Sequence, residues 1–343
     1  MKKVFMILSF LSFMILSSCL EKKDVNAKND EPITLVMAEV NPENTVVGRT
    51  DKAFKEKVEE LSGGKIKIDL QFSGILGNEA QVLDLIKSPN GSIQLMRGPS
   101  NLTQIGKDSP AFKDKPMKSP LISIPFTFNN DEHFWKFAAS DLAQEILDEP
   151  YENGLGVKGL FYLEEGFRHL FSIHPIKTVE DMKGKKFRVS GNVLTALSQS
   201  LSAEGVKVDF PELYAALQTG KVEVAENPLT NYLVNHFNEV APNLTLDGHM
   251  LGVGQVMISA STWNSLSENQ KNTLLEAGKY AQNVCKKILD EMNAEAIATV
   301  KANGGTVIEI ADKTPWQEAC ADMISESSKA YPELYKKIVN LGK

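Results

Sequence analysis

Thiols are almost missing from this chain: its 343 residues contain three cysteines, Cys19, Cys285 and Cys320. That number cannot build a cysteine-based zinc site. Cys285 and Cys320 either pair in an oxidising compartment or sit apart as two small buried hydrophobes. Histidine is also thin, with five scattered residues, and His169 and His174 lack the carboxylate or cysteine spacing of a metal site. There is no GxSxG elbow, no HExxH helix and no glycine-rich phosphate loop. Gly252-Val253-Gly254 lacks the third glycine of a dinucleotide fingerprint. Neither an enzyme nor a bound metal or cofactor is expected. Positive charge is outnumbered, 37 Lys and Arg against 44 Asp and Glu for a net −7, which does not suit a nucleic-acid binder. No apolar run reaches the roughly 20 residues that a bilayer-spanning helix needs.

What is present starts with Lys2 and Lys3, an apolar run over 4–16, and then Leu16-Ser17-Ser18-Cys19. This pattern predicts a secretory signal over 1–18. Small residues ahead of a cysteine look like a bacterial lipobox, with Cys19 as the lipidated first residue; the alternative is an ordinary cleavable signal beside an incidental cysteine. Residues 19–32 are mostly polar and read as a tether. The chain is then expected in the periplasm or cell envelope, held to a membrane through Cys19. Removing 1–18 leaves 343 − 18 = 325 residues and, without Lys2 and Lys3, a net charge of −9. That length exceeds one ordinary core, so two lobes are expected.

From residue 33 strand and helix patterns alternate. ITLVMA reads as a buried strand, an amphipathic helix carries Val47, Phe54, Val58 and Leu61 on one side, and 65–72 alternates as a half-exposed strand. Such a unit predicts parallel βαβ. A helix over 79–87 and a strand near 92–96 follow. Strands near 158–163, 186–189, 206–210 and 222–225 repeat the grammar in a second α/β unit. Ser267 and Gln270 fit a capping box, and the helical pattern behind them runs almost to Asn303. One helix of that length would be about 54 Å long and bridge both lobes; two helices breaking near Gly278 or Asp290 are the alternative. A strand before Ile310 and helix over 314–339, interrupted near Pro332, close the chain.

Ligands of two-lobe α/β proteins sit in the crevice beyond the carboxyl ends of the strands. Arg188 ends the strand KFRV, Arg168 follows the strand 158–163, and Asn227 lies between the strand 222–226 and a helix. A carboxylate entering a closed cleft loses solvation worth several kcal/mol unless paired, and the planar fork of arginine supplies both charge and direction. Two local readings stand beside this one: Arg168 can pair with Glu164 or Glu165, and Asn227 can be a helix cap or turn residue. From the first half, Asn41 after the first strand and Glu79 at a helix start are further candidates, as is Phe210. Tyr214 fits the core better.

The stretches Asp181-Met182-Lys183-Gly184-Lys185-Lys186-Phe187-Arg188-Val189, Glu212-Leu213-Tyr214-Ala215-Ala216-Leu217-Gln218-Thr219-Gly220 and Glu226-Asn227-Pro228 resemble the substrate-binding proteins of TRAP transporters, the DctP-like family. Weaker echoes at 61–66, 75–77, 124–126, Trp263 and Leu266 extend the likeness over nearly the whole mature chain. The resemblance implies a type II-like periplasmic-binding-protein fold with a long lobe-spanning helix, divided into 33–163 plus 252–290 and 164–251 plus 291–343. It also implies a receptor for a small organic carboxylate (a dicarboxylate, keto acid or sugar acid) that delivers to integral-membrane subunits driven by an ion gradient. In that family the arginines matching Arg168 and Arg188 contact the carboxylate and the asparagine matching Asn227 hydrogen-bonds it. This chain departs from the pattern where Glu223-Val224-Ala225 replaces the usual Asp-Gly-Gln, which leaves the ligand open. The alternative is an envelope lipoprotein using the fold for a hydrophobic ligand or another envelope protein.

Overall fold

The computed structural model of the chain describes residues 31–88, 91–106 and 116–343. The expected signal, Cys19 and the tether up to residue 30 lie outside the described residues. Among the described residues nine strands form one mixed sheet: β1 (Ile33–Ala38), β2 (Ile66–Gln71), β3 (Leu95–Pro99), β4 (Val157–Ser172), β5 (Lys186–Val189), β6 (Glu204–Lys207), β7 (Val224–Pro228), β8 (Asn243–Ser259) and β9 (Thr306–Glu309). Their order is β2-β1-β3-β8-β4-β7-β5-β6, with β9 beside β8. β1 runs parallel to β2 and β3, and β5 parallel to β6 and β7, which gives the two expected α/β units.

Those units are joined by β4 and β8, which pair antiparallel along almost their whole length. The chain's first unit holds the carboxyl-terminal half of β8, through the pairing of β3 with residues 254–258. The second holds the opposite halves: β7 pairs with residues 168–172 of β4, and β9 with 243–246 of β8. Register shifts interrupt the β4–β8 ladder near Glu164 and Gly166, where the two lobes meet. Bulges of this kind bend a strand and raise its twist.

β4 is longer than the 158–163 strand read from the sequence, so Arg168 lies inside a strand and not after one. The reason is that bulge, since Glu164-Glu165-Gly166 breaks the alternation that marks a strand. β8 has no counterpart among the sequence-based expectations. Its three glycines and its buried Asp247 and His249 hide a strand covered on both faces. β3 begins three residues later than the predicted 92–96 and so carries Arg97. β6 ends before Phe210, which opens a short 3-10 turn with Pro211 and Glu212.

The helix Glu268–Ala302 is continuous, 35 residues or about 52 Å. Its Ser267–Gln270 capping box is formed in both directions. Its first two thirds pack Leu274, Ala277, Ala281, Cys285 and Leu289 on the first lobe, together with Leu35, Phe54 and Phe161. The remainder places Ala296 and Val300 against Phe171, Tyr232 and Leu244 of the second lobe. Helix therefore bridges lobes. The C-terminal segment is three helices, Thr314–Ala319, Ala321–Ser328 and Pro332–Asn340, with Pro332 opening the last. Ile338 of that last helix packs with Phe134, Phe137 and Tyr162. Cys285 and Cys320 are both buried and unpaired, and burial pushes each thiol up to about 12. Among the described residues no helix is long and apolar enough to cross a membrane, and no group of three His, Cys, Asp or Glu is placed to hold a metal ion.

Candidate ligand-binding cleft

Arg188 sits one residue from the carboxyl end of β5, only 4 % exposed. Its Nε donates to the carbonyl of Val208 at 3.0 Å, and its guanidinium carbon lies 5.9 Å from the centre of the Phe210 ring. Among the described residues no carboxylate is within ion-pair distance, and its two terminal nitrogens have no protein acceptor. Burial lowers its pKa, the nearby Glu226 opposes that, and Arg168 reinforces it. A guanidinium taken out of water without a counter-ion is costly to keep. It is a donor fork held open.

Phe187 of β5 pairs with Val224 of β7, so alternation puts Arg188 on the same sheet face as Ala225 and Asn227. Asn227 is buried, and its Oδ1 accepts from Asn231 Nδ2 at 3.2 Å. It caps nothing: the helix Leu229–Val234 begins after Pro228 without a side-chain cap. Phe210 remains 39 % exposed and touches Phe237 edge-on at 5.8 Å. Tyr214 packs partly on the second-lobe core, with its hydroxyl on Glu239 at 2.9 Å.

Arg168 is held differently. Its Nε and Nη2 grip both oxygens of Glu226, the second at 2.8 Å, and Glu226 is fully buried. Neither Glu164 nor Glu165 is its partner. Behind Glu226 lies His249, with Nε2 3.4 Å away, and behind that Asp247, 2.7 Å from His249 Nδ1. His169 completes the chain at 3.8 Å from Asp247. Burial would raise Glu226, but the Arg168 guanidinium and then His249 hold its carboxyl at about 2. Burial would likewise lower His249, yet Asp247 and Glu226 push it up to about 9. Burial would raise Asp247, and its two histidines keep it well below the usual carboxylate range.

The first lobe supplies the opposite wall. Arg97 on β3, 5 % exposed, donates Nη1 to Glu79 Oε1 at 3.0 Å and Nη2 to Glu165. Glu79 opens the helix Glu79–Ile86, where the capping box of Asn78 and Gln81 fixes the first turn. Burial raises its pKa and Arg97 counters. Arg97, Glu79, Ser100 and Ser123 line a cavity of about 230 Å³ together with Glu165 and Arg168 from the second lobe. Asn41 borders a smaller gap of about 60 Å³ with Glu165, Thr230 and Asn231. Its side-chain nitrogen is spent on Glu39 at 2.7 Å. A larger hollow of about 520 Å³ lies on the outside, against the exposed Arg49 and Lys52, and holds no buried polar group.

Of the residues singled out from the sequence, Arg188, Asn227 and Phe210 gather at the strand ends of the second lobe. Arg168 faces the cavity from that lobe and Glu79 from the other, while Asn41 sits in the adjoining gap. Sequence reasoning did not find Arg97, because its strand was expected to stop at Met96. It missed the role of Glu226 although the motif containing it was noted. A buried Glu directly before Asn-Pro at a strand end was the available signal.

A two-lobe α/β frame with an open guanidinium fork at the strand ends of one lobe defines a solute-binding protein. The family model described as DctP, bacterial extracellular solute-binding protein family 7, matches residues 37–330, and the chain belongs to that family. A solute-binding protein of Sulfitobacter sp. (strain NAS-14.1) is 32% identical over 234 residues, 68% of each chain. A TRAP periplasmic solute-binding protein of Ochrobactrum anthropi, solved with its C-terminus in its ligand-binding pocket, superposes with a TM-score of 0.82 at 27% identity, covering 91% of this chain and 97% of that one. Another, from Pseudomonas putida F1 with bound D-glucuronate, gives 0.75 at 27% identity, covering 89% and 96%.

Proposed function

We propose that this chain is an extracytoplasmic receptor that captures a small organic carboxylate between its lobes and delivers it to the integral-membrane subunits of a TRAP transporter. The observation carrying this reading is Arg188: buried, without a carboxylate partner among the described residues, and with two terminal nitrogens open at the strand ends. A ligand carboxylate supplies the missing charge and Asn227 adds an amide from the same sheet face, while Arg168, fixed by Glu226, lines the cavity toward the first lobe. The lobes 33–163 plus 252–290 and 164–251 plus 291–343 close by bending β4 and β8 at their shared bulge, with the long helix flexing. Ligand favours the closed form because only there do both walls touch it. The D-glucuronate bound by the Pseudomonas relative supports the acid class. Export by the signal over 1–18 and anchoring through lipidated Cys19 complete the reading.

The test is calorimetric titration of the mature chain with a panel of organic acids, alongside native mass spectrometry of whatever co-purifies. A single carboxylate bound one to one is expected. Arg188→Ala should weaken it at least about 30-fold, the smallest loss expected when one partner of a buried charge pair is removed. A lipid in the pocket, or full affinity in Arg188→Ala, overturns the proposal.

A further inference from the structure

The two walls of the cleft differ in charge. On the second lobe Glu226 neutralises Arg168, and Arg188 is left over as one positive charge. Where first-lobe Arg97 and Glu79 meet Glu165 of the second lobe the balance is reversed. Arg97 is the guanidinium of that cluster, and each of its terminal nitrogens meets one carboxylate, Glu79 or Glu165. Behind them Glu39 and Asp51 are buried side by side; burial and then the Glu39 charge raise Asp51 well above its ordinary value, and its carboxyl bonds to Glu39.

This arrangement is built into the backbone. A Cβ on Gly254 of β8 would lie 2.9 Å from Arg97 Nε and 3.1 Å from Nη2, so glycine there admits the guanidinium. Gly252 stands in the same way against Glu165, whose Cβ would be 3.1 Å off. The Gly252-Val253-Gly254 run, which fails as a nucleotide fingerprint, thus serves to seat an arginine between two acids.

We infer that Arg97, Glu79 and Glu165 form a hydroxyl-reading subsite that accepts the uncharged end of a monoanionic hydroxy acid and rejects a second carboxylate. Hydroxyl groups fit because each can donate to a glutamate oxygen while accepting from the guanidinium edge. A second carboxylate has no proton to give the two glutamates and brings its charge beside theirs, whereas each terminal nitrogen of Arg97 keeps a second N–H for a neutral hydroxyl. Like-charge juxtaposition in a desolvated site costs several kcal/mol. Arg97 and its acids thereby set specificity, and Arg188 sets affinity. The inference rests on the carboxylate-receptor reading above and narrows it to polyhydroxy monocarboxylates.

The test compares D-glucuronate with D-glucarate, the same six carbons carrying a carboxylate at each end, by titration calorimetry on the mature chain. Glucuronate should bind roughly a hundredfold tighter, the ratio that a few kcal/mol implies. In Glu79→Gln and in Glu165→Gln that ratio should shrink at least about tenfold, since each removes a like charge. Gly254→Ala, which displaces the guanidinium without altering any charge, should weaken glucuronate while leaving glucarate the poorer ligand. Wild-type chain that binds glucarate as tightly as glucuronate overturns this inference and leaves the receptor reading intact, as does an unchanged ratio in both glutamine variants. Absence of binding to any organic acid sinks both.

Discussion

Arg168 and Arg188 are the same side chain in two electrostatic states. Arg168 spends its fork on Glu226, which holds its position; Arg188 spends one nitrogen on a carbonyl and has no acceptor for the rest among the described residues. The pairing beyond Glu226 has a pH signature. His249 is held at about 9, above its ordinary value near 6.5, so the folded form binds that proton more tightly than the unfolded chain. Its contribution to stability is complete below about pH 6.5 and is lost as pH rises through about 9. Urea titrations of the wild type should therefore show stability falling across that window. His249→Gln, whatever it costs at pH 6, should flatten that slope. An equally steep alkaline slope in the variant would count against the ion-pair chain.

At the level of elements, Gly278 shows how a residue that reads as a weak point can be a contact. It lies mid-helix, where glycine costs about 1 kcal/mol relative to alanine. In the structure a Cβ there would be 2.5 Å from Phe161 Cδ1, so glycine lets the long helix lie directly on β4. Gly278→Ala should lower stability by about 1–3 kcal/mol in chemical denaturation, overpacking outweighing propensity; a stabilised variant would refute the close approach. The same principle marks what could be read from sequence. Helix and strand periodicity, the Ser267–Gln270 box and the KFRV strand were legible because local pattern determines them. β8 was not, since a strand buried on both faces, with glycines facing Arg97 and Glu165, has no alternation to display. Arg97 was lost with the end of its strand. Arg188 and Asn227 could be located from their motifs. That Arg168 joins Glu226 and not Glu164 or Glu165 depends on the β4–β7 register, which only the fold supplies.

For the whole molecule, the sheet interleaves distant parts of the chain. β3, near residue 97, finds its neighbour in β8, near residue 256, and the first-lobe core is covered by a helix that begins at Glu268. The N-terminal lobe cannot seal until Leu289, beyond four fifths of the protein, has been made. A fragment ending at residue 251 should therefore be cut by protease throughout residues 33–163, while the full chain resists; a protected N-terminal core in that fragment would contradict the topology. Such late closure leaves the early segments open to any protein that grips extended chain, so the time a newborn molecule spends vulnerable is set by how fast its last third is synthesised.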